Sequence, residues 1–315
     1  FGLSENPPIT YLGEGNTPLI IRNISGTRIA FKLENLNPSG SFKDRGTALL
    51  TSILLMRGIK EVVEDSSGNA GASLAMYSAA FGIRSNIFVP AIASGPKLNQ
   101  MKASGANVIS VTGPRENAHQ AALKYIAETG FPYASHALLP FGLVGIATIC
   151  LEIYEQLGEL PGTIVAPVGH GSLFWGIQLG LQALQQQCDI HREVKMVGVQ
   201  PARCAPLVAL WKGQPFEGGT QPEGCTQPSL AEGTQILAPV HGEKILNSLQ
   251  RGKDELVSIE EEDILPAFYS LAKMGFYVEP TSALVWAAYQ KFGSHWPEPI
   301  VLILTGSGLK FHPTS

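Results

Sequence analysis

Thr163-Ile164-Val165-Ala166-Pro167-Val168-Gly169-His170-Gly171-Ser172-Leu173 reads as strand, glycine turn and helix start in one run. Thr163–Pro167 is short, β-branched and almost continuously apolar, as a parallel strand buried on both faces should be. The glycines turn the chain, and Ser172 opens an apolar-periodic helix to Gln187. The same alternation extends outward in both directions. Further strands are expected at Arg28–Leu33, Glu61–Glu64, Ser85–Pro90, Asn107–Val111, Val194–Gln200 and Pro299–Leu304. Further helices are expected at Lys43–Arg57, Ala70–Phe81, Pro96–Ser104, Glu116–Thr129, Gly142–Leu157, Glu260–Lys273 and Thr281–Phe292. Repeated βα units predict an α/β fold with mostly parallel sheets flanked by helices.

The composition agrees. The 315 residues are 44% hydrophobic and 15% charged, enough for a sizeable core and one large or two medium domains. A net charge of −4 without a basic block argues against a nucleic-acid partner. No apolar run approaches the roughly 18–20 residues that span a bilayer. Residues 1–15 are polar and proline-rich and show no signal-peptide pattern; the chain starts at Phe1 rather than Met, which leaves trimming of a leader open. Cys150, Cys188, Cys204 and Cys225 show no CxxC or metal-ligand spacing. They read as free thiols in a reducing, cytoplasmic compartment, and no metal is expected. Trp211–Gly233, rich in Gly, Pro, Gln and Thr, departs from the βα rhythm and reads as a lid or a subunit contact.

In open α/β sheets ligands bind beyond the carboxyl ends of strands, so the loops after strands carry the chemistry. One such loop is Asn37-Pro38-Ser39-Gly40-Ser41-Phe42-Lys43-Asp44-Arg45-Gly46, which places Lys43 in a first helical turn. The positive end of the helix dipole there favours a neutral amine, the form that Schiff-base chemistry needs. A solvated lysine beside an Asp–Arg pair is the bland alternative. A second loop, Ser66-Ser67-Gly68-Asn69-Ala70-Gly71, gathers small residues and an amide at a helix start. It reads as a capping turn or as a cradle for a planar polar ligand. The third, Gly169–Leu173, offers free N–H groups and a hydroxyl to an anion. It is not a dinucleotide fingerprint, because Phe174 stands three residues after Gly171, and no Gly-Lys-Ser/Thr follows as in a P-loop. A single phosphate monoester fits it better than a pyrophosphate. A fourth segment, Leu304-Thr305-Gly306-Ser307-Gly308-Leu309-Lys310, ends the last strand.

Together these loops, with Glu279-Pro280-Thr281-Ser282-Ala283, resemble the fold type II pyridoxal 5'-phosphate (PLP) enzymes, the tryptophan synthase β-chain family, and within it threonine synthase. The resemblance runs from about Thr17 to Lys310. It implies PLP as cofactor, held as a Schiff base on Lys43, which is also the catalytic proton shuttle. It implies that Asn69 donates to the cofactor's phenolic oxygen. Gly169, His170, Gly171, Ser172 and Leu173 would hold its phosphate, and the Thr305 hydroxyl would face its pyridine nitrogen. Ser66, Ser67, Gly68 and Asn69 would bind the small amino-acid substrate. A hydroxyl at the ring nitrogen makes a milder electron sink than a carboxylate, which suits elimination and replacement better than transamination. Two domains are expected: 1–48 with 136–315 as the large PLP-binding domain, and 49–135 as a small mobile domain. A homodimer is expected.

The match departs in two places. Threonine synthases usually carry a phosphate-gripping arginine shortly before the glycine matching Gly145, and Leu139-Pro140-Phe141-Gly142-Leu143-Val144 holds no cation. His170 and Leu173 stand where Gly and Asn are more usual. The expected activity is that of a threonine synthase-like lyase on a small amino acid. A serine/threonine dehydratase-like deaminase is one alternative, and a PLP-binding regulatory protein with little turnover is another.

Overall fold

The computed structural model describes residues 9–188, 192–213, 228–250, 252 and 254–312. In chain order the strands are β1 (Leu19–Ile24), β2 (Thr27–Lys32), β3 (Glu61–Glu64), β4 (Arg84–Pro90), β5 (Asn107–Val111), β6 (Thr163–Pro167), β7 (Lys195–Pro201), β8 (Glu255–Ile259) and β9 (Ile300–Ile303). The helices are α1 (Lys43–Met56), α2 (Asn69–Ala80), α3 (Pro96–Ala103), α4 (Arg115–Thr129), α5 (Phe141–Leu157), α6 (Ser172–Cys188), α7 (Pro206–Trp211), α8 (Gly242–Leu249), α9 (Glu261–Lys273) and α10 (Pro280–Phe292). The elements expected from the sequence are all present, with ends that coincide or differ by one residue. Strands β1 and β8 and helices α7 and α8 were not anticipated.

Two compact units divide the chain: Phe1–Gly15 with Asn37–Gly145 and Lys310–Ser315, and Asn16–Leu36 with Ile146–Leu309. Besides the 49–135 expected for a small domain, the first unit takes in residues 37–48 and 136–145, the stretch up to Gly15 and the stretch from Lys310. Its sheet is parallel, in the order β3-β4-β5. Alternation along the strands sends neighbouring side chains to opposite faces. Val62, Leu50, Leu54 and Leu74 form one cluster, and Ile87 and Val89 pack with Ala72, Ala75 and Met101 in another. Val63 and Phe88 point the other way, onto Ala118 and Ala122 of α4.

The second unit holds a sheet in the order β1-β2-β9-β6-β7-β8, parallel except for the β1–β2 pair. Strands β6 and β9 are buried throughout, which explains their unbroken apolar runs. Strand β1 lies at an edge, largely exposed, and joins β2 through Ser25 and Gly26, both at positive φ (53° and 88°). That is the backbone a two-residue hairpin turn needs. β8 closes the other edge, and edge strands lack the two-sided burial that made the central strands legible. Among the described residues no helix is long and apolar enough to cross a membrane. Most of Trp211–Gly233, Cys225 included, lies outside the described residues, as does the side chain of Cys188. Cys150 and Cys204 are buried, and among the described residues no disulfide joins them.

Candidate functional site

Lys43 is the first residue of α1. The loop before it turns at Gly40, where φ is 84° and the N–H reaches Asn37 O at 2.7 Å. Asp44 fastens the loop to the helix. Its carboxylate accepts from Ser39 N at 2.6 Å, Ser39 Oγ at 2.5 Å and Ser73 Oγ at 2.6 Å. Burial raises the Asp44 pKa, and the Ser39 and Ser73 hydrogen bonds pull it back. Lys43 Nζ lies 4.8 Å from the centre of the Phe42 ring, and Ser41 Oγ is buried without a hydrogen-bond partner among the described residues. Helix α1 starts against the start of α5, where glycines allow contact. A Cβ on Gly145 would stand 2.0 Å from Arg45 O, and one on Gly46 would stand 3.1 Å from Gly142 Cα.

Asn69 opens α2, which packs beside α1. Gly71 allows the Ser66–Gly71 loop to fold back onto the helix, because a Cβ there would meet Ser66 O at 2.1 Å. Asn69 Oδ1 accepts a hydrogen bond from Lys310 Nζ at 3.1 Å. Below the loop lies an acidic cluster. Asp65 accepts from Tyr133 OH at 2.5 Å and faces His119 Nδ1 at 3.0 Å, while Glu64 stands 3.5 Å from His136 Nδ1. Burial, reinforced by the Asp65 charge, pushes the Glu64 carboxyl up to about 8.

In the second unit, Gly169–Leu173 joins β6 to the start of α6. Gly171 has φ of 90°, and a Cβ there would meet Ile245 Cδ1 at 2.5 Å; one on Gly169 would meet Gly233 O at 2.7 Å. His170 is partly exposed, and its carbonyl accepts from His241 N at 3.0 Å. Ser172 is 3% exposed and its Oγ has no hydrogen-bond partner among the described residues. Thr305 follows β9, which pairs with β6 in parallel, so both segments lie past the carboxyl ends of neighbouring strands. Thr305 Oγ1 is 3.0 Å from Ser282 Oγ, which also accepts from Gly306 N at 3.1 Å. Glu279 N donates to Gly306 O at 2.9 Å. The two C-terminal motifs seen separately in the sequence are therefore one hydrogen-bonded structure.

The family model of the pyridoxal-phosphate dependent enzymes matches residues 10–306. The chain belongs to that family. It is 33% identical to the threonine synthase of Mycobacterium leprae (strain TN), over 96% of this chain and 84% of that one. It is 31% identical to the threonine synthase of Bacillus sp. (strain ULM1), over 98% and 87%. The crystal structure of the T.th. threonine deaminase is similar with a TM-score of 0.76 at 27% identity, covering 94% of each chain. Maize serine racemase is similar with a TM-score of 0.80 at 23% identity, over 93% of this chain and 89% of that one. The fold is fold type II and the cofactor is PLP. The start of α6 suits its phosphate: an orphaned buried hydroxyl, glycines where a Cβ would clash, and a helix end with spare N–H groups and positive dipole.

Three relationships escaped the sequence reading: Asp44 with Ser73, Ser282 with Thr305, and Lys310 with Asn69. Each joins residues at least 23 positions apart in the chain, and no spacing rule links them.

Proposed function

We propose that this enzyme is a threonine synthase-like lyase, eliminating or replacing a leaving group on a small amino acid. The observation that carries this reading is the identity with threonine synthases over 96% of the chain. PLP when bound withdraws electrons from the substrate's α-carbon. Lys43 Nζ holds the cofactor covalently and then moves the α-proton. Asn69 donates to the phenolic oxygen. Gly169, His170, Gly171 and Leu173 with Ser172 Oγ bind the phosphate. Thr305, oriented by Ser282, faces the ring nitrogen. Ser66, Ser67, Gly68 and Asn69 receive the substrate. Residues 49–135 move on substrate binding to exclude water. The chain works as a homodimer in the cytoplasm.

A second reading, a serine/threonine deaminase, is favoured by one specific feature. Residues 137–147 contain no cation, and Leu138 and Val144 there are 57% and 45% exposed. A substrate phosphate placed beside them would lose hydration without an ionic partner. The test is a screen of phosphohomoserine, phosphoserine, serine and threonine with phosphate and ammonia release measured separately. Phosphate release from phosphohomoserine at a kcat/KM of about 10⁴ M⁻¹s⁻¹ or above supports the synthase reading. Ammonia release from serine or threonine with none of the former establishes the deaminase.

A further inference from the structure

The Asn69 amide has two ends of similar shape and opposite chemistry. Only Nδ2 can donate to an oxygen anion. Lys310 Nζ can donate and cannot accept, and it lies 3.1 Å from Oδ1. The contact therefore decides which way the amide faces: oxygen toward the lysine, NH₂ away from it. A flipped amide would set NH₂ against the ammonium and a carbonyl oxygen against any anion on the other side. Lys310 is itself 8% exposed, so its charge is weakly screened. That charge also acts on Asp44, whose carboxyl it favours in the ionised form. The ammonium thus acts on both the carboxylate that fastens the Lys43 loop and the amide that opens α2.

We propose that Lys310 is a positioning residue for the cofactor's phenolic oxygen. It locks Asn69 with Nδ2 as donor, and its charge, carried through the polarised amide, favours the ionised phenol. This rests on the reading of Asn69 given above.

The test compares Lys310→Met, Lys310→Gln and Lys310→Arg with the native enzyme. PLP affinity is measured by titrating the apoenzyme. The pH midpoint of the bound cofactor's absorbance is followed, and the apoenzyme melts are recorded. The Met variant should bind PLP about tenfold more weakly, and its absorbance midpoint should rise by about one unit. The Gln variant, still a donor but neutral, should keep most of the affinity and show the raised midpoint. The Arg variant should restore both. A Met variant with native affinity and midpoint overturns the proposal, as does one in which only the apoenzyme melt changes. Asn69→Ala separates the two layers. If it changes neither affinity nor absorbance, the assignment of Asn69 fails; if it changes both while Lys310→Met changes neither, only the role of Lys310 fails.

Discussion

Ser73 Oγ donates to Asp44 Oδ1 at 2.6 Å, and so ties the helix that begins at Lys43 to the helix that begins at Asn69. The same hydroxyl lies 2.8 Å from Thr47 Oγ1, one turn into α1. Two segments that look independent in the sequence are held in one arrangement by a carboxylate that exposes none of its surface. Asp44→Ala should cost more than Ser73→Ala, because it strands the Ser39 N–H as well as two hydroxyls. Each stranded buried group costs about 1–3 kcal/mol. Denaturant unfolding measures the difference; equal losses for the two variants would mean Asp44 does not organise the loop.

Borohydride reduction of the native enzyme should leave the cofactor on Lys43. Lys310 is the second lysine to look for, given its place beside Asn69. Peptide mapping by mass spectrometry distinguishes them. Lys43→Ala should lose turnover and the covalent label while still binding PLP through the start of α6.

Gly145→Ala should disturb the Lys43 helix from a distance. The new Cβ would lie 2.0 Å from Arg45 O, a backbone atom that cannot swing aside. Forced separation of the two helix starts should lower stability by about 1–3 kcal/mol or more. Gly252→Ala, with open space around its Cβ, is the matched control and should be near neutral. A native melting temperature for Gly145→Ala would show that the close approach is not required.

Thr305→Ala removes a single hydroxyl and should weaken PLP binding by on the order of 1 kcal/mol. Ser282→Ala should have a smaller effect of the same sign, since Ser282 acts through Thr305 and Gly306 N. Titration of apoenzyme with PLP reads both. Complete loss of cofactor from Thr305→Ala would mean the ring nitrogen has another partner and this segment another role.

Glu64 makes stability fall as pH rises. Its folded-state value is raised from 4.5 to about 8, so the folded protein holds a proton that the unfolded chain releases. The contribution is fully present below the unfolded value, declines across the window between the two, and is gone above about 8. Glu64→Gln mimics the protonated carboxyl and should flatten the melting temperature over that window. A native slope in the Gln variant would show that Glu64 does not carry this proton.

Local signals along the chain were enough for the βα rhythm, the strands buried on both faces, and the loops that carry chemistry. They placed Lys43 in a first helical turn and Ser172 at a helix start, through turn residues, caps and unbroken apolar runs. They missed β1 and β8, whose edge positions leave them without that two-sided apolar signature. The pairings that orient the site come from the assembled fold alone. Lys310 reaches Asn69 across 241 positions of sequence, and Asp44 reaches Ser73 across 29. A hydrogen bond depends on distances of a few tenths of an ångström and on angle. Periodicity reports which side of an element is buried, not which atom waits across the gap. Those partners exist only once sheets and helices have brought remote loops together.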